Sequence, residues 1–330
     1  MKAKAIGEPL LRREQAATTF PFRRFSRRAK DRLARRIFFA ITILPFVILV
    51  LMIIALALRS APILQTTSFW ELLSGRVWKP FQGLFGFYPF ITGTMWVTAV
   101  AMLLAVPPCL LSAIYLAEYA RPQVNIIIHP LLDLLAGIPS VVYGVWGMVA
   151  IVPWVQRLAP RVSRYLGYIP IFSNNNPTGF NILAGGIVLA VMVAPFIIAV
   201  TYEVMRAVPA GLREASLAVG ATRWQTVKYA LIPQTLPGII AGIVLGASRA
   251  LGETMAVMMV VGNVAKVPGS IFDPAYPLTA LIANNYGEML SIPLYDAALL
   301  GAALVLLLVV LIFNIISTLI LRKIIGRAWV

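Results

Sequence analysis

Residues 238–262 have the sequence GIIAGIVLGASRALGETMAVMMVVG, an apolar run that is long enough to cross a bilayer. A spanning helix needs roughly 20 apolar residues, at a rise of about 1.5 Å per residue. Two charged residues, Arg249 and Glu253, interrupt the run within the stretch GASRALGETMAV, from Gly246 to Val257. Because a charge in hydrocarbon is costly, they indicate a protein-lined or water-lined position inside a membrane protein.

The composition of the whole chain supports this interpretation. Of its 330 residues, 60% are hydrophobic and only 12% are charged, and the mean hydropathy is +0.87, outside the range of soluble domains. Six apolar stretches are long enough to span, so the predicted fold class is all-α, a polytopic membrane protein with six transmembrane helices. The predicted spans are residues 37–58, 92–116, 126–154, 180–205, 238–262 and 295–321.

A basic tail, residues 1–36, precedes the first span, and residues 37–330 form the predicted six-span domain. A cleaved secretory signal is the alternative, since ALA at Ala55–Ala57 resembles a cleavage site. The apolar core of such a signal is about 7–15 residues long, which is shorter than this stretch. We therefore expect an uncleaved membrane anchor.

The formal net charge is +16, and the basic residues are concentrated in the tail. The positive-inside rule places this end in the cytoplasm, and six spans return the C-terminus to the same side. Residues 59–91, 155–179 and 263–294 would then face outward. The tail lacks the aromatic platforms of nucleic-acid binding, so we expect a topology signal or contact with anionic membrane lipid, and no nucleic acid.

Several kinds of site are excluded by residue counts. A single cysteine, Cys109, allows no internal disulfide and no thiolate cluster, and the only histidine, His129, lacks partner ligands for a metal. No G-x-x-x-x-G-K-[ST] phosphate loop occurs. The chain is therefore expected not to be an enzyme and to hold no cofactor, and any use of ATP would belong to another subunit.

The connecting segment, residues 206–237, is too polar to span and is patterned as helix, turn and helix. LREASLAV, from Leu212, predicts a short helix, Gly220 ends it, and helical spacing resumes in TRWQTVKYALI before Pro233. Small side chains beside Glu214 would let another protein approach closely and would offer it a charged anchor. An interfacial hairpin without a partner is the alternative.

The spacing in EASLAVGATRWQTVKYALIP resembles the EAA loop of bacterial ABC importer permeases. Ala230 and Ile232 replace the usual Ile and Leu, and the third motif residue is serine. The resemblance implies that this loop docks on an ATP-hydrolysing subunit. The residues at the motif positions are Glu214, Ala215, Ser216, Gly220 and Pro233.

Two further segments, GIPSVVYGVWG from Gly137 and SRALGETMAVMMVVGN from Ser248, resemble the phosphate-specific permease family of the PstC type, as does the layout of residues 37–325. This resemblance implies a type I ABC importer permease fold that translocates inorganic phosphate into the cytoplasm. It implies as partners a PstA-type permease, two PstB-type ATPase subunits that bind ATP and Mg, and a PstS-type phosphate-binding protein. It also implies the bacterial inner membrane as the location.

In the fifth predicted span, Gly238, Gly242, Gly246, Arg249 and Glu253 recur at spacings that place them on one helix face. The glycines would allow close helix packing. Arg249 and Glu253, one turn apart, are expected to pair within the helix and to line the substrate pathway, with guanidinium donors that fit phosphate. A purely structural ion pair is the alternative.

Two other functions stay open at this point. A permease for another oxyanion, molybdate or sulfate, would share the EAA loop. An ion-coupled secondary transporter is the second, although inverted repeats and more intramembrane acids would be expected of it.

Overall fold

The computed structural model describes residues 24–174, 176–288, 292 and 294–328, and the side chains between Lys30 and Lys323 within these ranges. Residues 1–23 of the predicted basic tail lie outside the described residues. The remainder of that tail, from Arg24 onward, is helical and continuous with the first span. The chain divides into two compact units, residues 1–55 and 56–330, so the expected boundary after residue 36 falls inside a continuous helix.

Helices form most of the described chain, and one two-stranded antiparallel hairpin, β1 (Trp78–Lys79) with β2 (Leu84–Phe85), precedes the second long helix. Where a helix continues through a π-helical turn, we treat the whole as one element. The helices are α1 (Arg24–Thr66), α2 (Phe69–Ser74), α3 (Tyr88–Tyr119), α4 (Pro122–Gly137), α5 (Ser140–Leu166), α6 (Ile182–Arg206), α7 (Ala210–Ala218), α8 (Arg223–Gly252), α9 (Met255–Met258), α10 (Leu278–Asn285) and α11 (Tyr295–Ala328).

Six helices of the described chain are long and apolar enough to cross a membrane: α1, α3, α5, α6, α8 and α11. The predicted number of spans is therefore confirmed. A helix suits the bilayer because most of its backbone hydrogen bonds form within the segment itself. Many large apolar side chains on these helices are exposed, as expected of surfaces that contact lipid tails or other membrane subunits.

The third predicted span, residues 126–154, is wrong as a single helix. The helix breaks at Ile138 and Pro139, both in extended conformation. A residue before proline is disfavoured in the helical region, which explains the break. Beyond the predicted end the helix continues to Leu166, because Val155 and Ala159 are buried against the protein while Gln156 and Arg157 stay exposed.

The fifth predicted span, residues 238–262, is also wrong at both ends. The helix starts at Arg223 and ends at Gly252, after which Glu253 is extended and the short α9 begins at Met255. A parallel bridge then joins Gly262 to Ala275. Many of the residues that follow α9 are packed inside the protein, although Val264, Lys266 and Gly269 are exposed. Those buried to 1% exposure or less are Val260, Val261, Ser270, Phe272, Ala275, Leu278, Ala280 and Leu281.

The centre of residues 56–330 is α6, which packs against α3 and α8. In the most apolar 18-residue stretch of α6, 61% of the residues are buried, against 33% in the corresponding stretches of α3 and α8. Such burial is expected of a helix that is apolar on every face. The glycines of α8 lie at the contact with α6. A methyl group on Gly246 would lie 2.8 Å from Ile197, and one on Gly242 would lie 3.0 Å from Val200.

Gly238→Ala should destabilise the protein by about 1–3 kcal/mol, the usual cost of overpacking a close contact. The added methyl group would clash with Val204 of α6, whose β-branched side chain has little rotamer freedom. Thermal unfolding in detergent measures the effect. Gly211→Ala in α7 is the matched control, because nothing lies within 4 Å of the added methyl group. Equal melting temperatures for the two variants would contradict the glycine contact.

Candidate functional site

The connecting segment folds as the sequence predicts, as a helix, a glycine turn and a second helix. α7 ends at Ala218, and Gly220 adopts a left-handed conformation with φ of 84°, which favours glycine. Thr222 then begins α8 with a reciprocal cap: its hydroxyl accepts from the Gln225 amide at 3.2 Å, and its own amide donates to Gln225 Oε1 at 2.8 Å. The turn is thus fixed on both sides.

The residues of the EAA-like motif occupy this element. Glu214 and Ala215 are exposed on α7, and Ser216 shares a 2.9 Å hydrogen bond with Thr226 that joins α7 to α8. Pro233 is exposed in α8, beyond a π-helical turn at Val227–Leu231. The structure therefore brings the first four motif residues together and places Pro233 further along the next helix.

The surface around α7 is apolar as well as charged. α7 has no buried residue, and Val219, directly after it, is 85% exposed. Leu217, Trp224 and Tyr229 are also exposed. Large apolar side chains grouped around a polar, exposed helix such as α7 are typical of a surface that another protein covers.

Arg249 lies in the last turn of α8, with its guanidinium carbon 4.0 Å from the centre of the Phe196 ring. Phe196 belongs to α6, 14 residues after its start at Ile182 and 10 before its end at Arg206, so the contact is near mid-helix. A cation over an aromatic face is stabilised, more strongly where water is excluded. The arginine side chain is nevertheless exposed in the single chain.

Glu253 is half-buried directly after the end of α8. Its Oε1 accepts a 3.2 Å hydrogen bond from the Ala256 amide in α9, and its backbone carbonyl accepts one at 2.9 Å from Thr279 Oγ1. Beside it is a small cavity of about 10 Å³, lined partly by Thr94 and Thr98 of α3. This volume is at the lower limit of what a single water molecule needs.

The expected ion pair between Arg249 and Glu253 is wrong. Arg249 and Glu253 have other partners: the guanidinium lies over the Phe196 ring, and Glu253 Oε1 accepts from the Ala256 amide. The reason is the end of α8 at Gly252, because a pair four residues apart needs a continuous helix. Instead, Arg249 lies at a helix C-terminus and Glu253 accepts a hydrogen bond at the start of the next helix, where the helix dipoles favour these charges.

The two segments that resembled the phosphate-specific permeases lie against each other. A methyl group on Gly144 of α5 would lie 2.6 Å from Met259 Sδ and 3.2 Å from Ala256 Cα, and one on Gly147 would lie 2.9 Å from Val260. Small residues on α5 thus allow the chain after Glu253 to pack closely. The broken end of α8 is enclosed by protein on this side.

The family of binding-protein-dependent transport system inner membrane components matches residues 109–326. This match covers the connecting segment, the broken end of α8 and the last span. The chain belongs to this family.

Several curated members of the family are similar over most of this permease. The phosphate transport system permease protein PstC of Pasteurella multocida is 35% identical over 87% of this chain and 89% of its own length. That of Xylella fastidiosa is 36% identical over 84% and 87%. A probable ABC transporter permease protein, YqgH, of Bacillus subtilis is 37% identical over 74% of each chain.

Several residues of this permease at the α7 surface and at the broken end of α8 carry no signal in the sequence. Phe196 beneath Arg249 was indistinguishable from other apolar residues of α6, and Thr279 is 26 residues from the Glu253 carbonyl that it binds. Arg213 and Glu118 form a bidentate pair across 95 residues of sequence. Arg213 precedes Glu214 in the quoted loop, but no local spacing indicates its partner.

The position of Arg249, over an aromatic ring and beside the end of α8, suits transient binding of an anion. Among the described residues no carboxylate or carbonyl accepts a hydrogen bond from Arg249, which leaves its donors open beside a helix break. Irregular backbone and charge at membrane depth are found where they are enclosed by protein or line a water-filled cavity. In the part of the chain that the structure describes, no group of three His, Cys, Asp or Glu side chains could hold a metal ion.

The separation of the two charges leads to a testable expectation. The effects of Arg249→Gln and Glu253→Gln on stability should add in the double variant. A charge-assisted hydrogen bond between the two side chains would contribute at least about 1.5 kcal/mol, and the measured interaction energy should be smaller than this. Thermal unfolding of the parent, both single variants and the double variant measures this energy. A larger interaction energy would show that the two side chains pair after all.

Proposed function

We propose that this chain is a transmembrane permease subunit of an ATP-driven ABC importer that translocates inorganic phosphate into the cytoplasm. The observation that carries the proposal is Arg249, an exposed guanidinium at mid-helix depth, beside a break in α8 and without a carboxylate partner among the described residues. Relatives named phosphate transport system permeases at 35% and 36% identity support the choice of phosphate.

A guanidinium is suited to this task because two of its donors can bind two phosphate oxygens at once. Arg249 is exposed in the single chain although it lies beside the middle of α6, where contact with lipid would be costly. A second permease of the PstA type would cover this side and complete a protein-lined pathway. Glu253 would contribute by fixing the chain after the break, through its bond to the Ala256 amide.

The energy source would lie outside this chain. We assign the α7 surface, with Glu214, Ala215, Ser216 and Gly220, to docking on one of two PstB-type ATPase subunits, which would bind ATP and Mg. This assignment is supported by the exposed charged and apolar side chains of α7 and the residue after it. A PstS-type phosphate-binding protein would deliver phosphate to the opposite, outer side. This chain itself would hold no cofactor.

Phosphate uptake in liposomes that contain the assembled complex tests the role of Arg249. Arg249→Gln should lower uptake at least about tenfold, the equivalent of losing one charge-assisted contact. Arg249→Lys should lower uptake less than Arg249→Gln, because lysine keeps the positive charge. Some loss is still expected, because lysine lacks the planar fork of donors. Arg206→Gln, an exposed arginine at the end of α6, is the control and should transport like the parent.

Copurification with the partner subunits shows whether each Arg249 variant assembles. Normal uptake by an assembled Arg249→Gln complex would contradict the anion contact. Competition by molybdate and sulfate in the parent identifies the substrate. If either oxyanion, rather than phosphate, stimulates ATP hydrolysis and enters the liposomes, the importer serves that anion instead.

The proposed orientation places both termini and α7 in the cytoplasm. In a Cys109→Ser background, Tyr168→Cys should react with an impermeant thiol reagent from outside, because Tyr168 is exposed beyond the end of α5. Val219→Cys should react only after the membrane is permeabilised. The reverse pattern of labelling would invert the topology and exclude an ATPase partner on the α7 side.

A further inference from the structure

Arg213 on α7 makes a set of polar contacts with other parts of the protein, whereas Glu214 and Ala215 beside it are exposed. Its Nε and Nη2 donate to Glu118 Oε1 at 3.0 and 2.9 Å, and Nε also lies 3.2 Å from Oε2. Its Nη1 donates to the Val208 carbonyl and its Nη2 to the Met205 carbonyl, each at 2.6 Å. Both side chains are largely buried, with 19% exposure for Arg213 and 12% for Glu118.

These contacts join α7 to two spanning helices. Glu118 lies in the π-helical turn that ends α3, and Met205 lies in the last turn of α6. The Met205 carbonyl also accepts a 3.4 Å hydrogen bond from the Val208 amide, so Arg213 adds a second and shorter bond at this end of α6. One planar guanidinium thereby holds α7, α3 and α6 together.

α3 and α6 also contribute the residues that surround Arg249 and Glu253 at the end of α8. Phe196 of α6 lies beneath Arg249, and the hydroxyl-bearing Thr94 and Thr98 of α3 line the cavity beside Glu253. α3 and α6 pack along their length, with Gly186 of α6 so close to α3 that an added methyl group would lie 3.1 Å from Val100 Cβ. A displacement of α7 that Arg213 transmits would therefore reach both sides of the break at once.

We infer that Arg213 is a positioning residue that couples movement of α7 to α3 and α6, with Glu118 as its anchor on α3. The inference rests on the proposed function, because it needs an ATPase that moves α7. Arginine suits the role, since its rigid fork binds a carboxylate and two carbonyls in one geometry, whereas lysine offers a single point charge. Arg213 would act by keeping α7, α3 and α6 in fixed relative positions, and it would not contact the substrate.

The measurement is the amount of phosphate imported per ATP hydrolysed by the complete importer in liposomes, with its ATPase, partner permease and loaded binding protein. Arg213→Gln should lower this ratio at least about tenfold while ATP hydrolysis continues, a change within the usual range of coupling between sites. Glu118→Gln should lower it less, because the bonds from Arg213 to the Met205 and Val208 carbonyls remain.

The double variant should be no worse than Arg213→Gln alone, since both changes remove one connection. Arg213→Lys should fall between the parent and Arg213→Gln. Arg206→Gln, which changes an exposed arginine at the same end of α6, should keep the parental ratio. Copurification of the ATPase with each variant shows that the loss is in coupling and not in assembly.

Three results would overturn the inference. The first is a parental ratio in assembled Arg213→Gln or Arg213→Lys. The second is an additive loss in the double variant. The third is failure of both Arg213 variants to assemble while Glu118→Gln assembles and couples normally, which would assign the contacts to folding alone. Failure of the proposed function is separate, because it shows in the parent as absence of phosphate-stimulated hydrolysis, and the ratio is then measured with the oxyanion that does stimulate it.

Discussion

A helix that ends inside a bilayer leaves carbonyl groups that lipid cannot hydrogen-bond, and this constraint governs the structure around the end of α8. The Ala250 carbonyl accepts from the Glu253 amide at 3.3 Å, and the Gly252 carbonyl accepts from Thr254 Oγ1 at 3.3 Å. The Glu253 carbonyl is bound by Thr279, from a segment that enters the protein after α9. The break is possible because much of the chain after it, including Val260, Val261 and residues 278–281, is buried in the protein.

This enclosure depends in turn on how closely the helices approach α6. Glycines of α8 contact Ile197 and Val200 of α6, and Gly147 of α5 approaches Val188 of the same helix. Side chains larger than hydrogen at these positions would move α5 and α8 outward and open the space that the chain after Glu253 fills. Since lipid tails compete equally well for apolar surface, close backbone packing replaces the hydrophobic effect as the source of helix association.

The features that could be predicted from the sequence are those that depend on local periodicity. Apolar length gave the number of spans, and the recurrence of Gly238, Gly242 and Gly246 indicated the face that packs on α6. The break at Ile138 and Pro139 also had a local signal, because a residue before proline avoids the helical region, although an uninterrupted span was predicted.

The remaining features depend on contacts between distant residues. Nothing in Gly-Glu-Thr requires a helix to stop, since glycine is frequent in membrane helices, and the hydrogen bond that stabilises the break comes from Thr279. An i, i+4 spacing therefore predicted a pair between Arg249 and Glu253 that the fold does not form. The pair that does form, Arg213 with Glu118, is separated by 95 residues, so only the packing of α7 against α3 reveals it.

The separate stabilisation of Arg249 bears on how an importer could release its substrate. An arginine already paired with a carboxylate would have to exchange that partner for an incoming anion, and the displaced carboxylate would repel it. Here the charge is offset by the Phe196 ring and by the C-terminus of α8, neither of which occupies the guanidinium donors. An anion could then bind and leave without breaking an ion pair, so under the proposed function its residence would be set by the shape of the pathway around Arg249. Movements of α6 and α3 would change that shape directly, because they carry the ring beneath the arginine and the threonines beside Glu253.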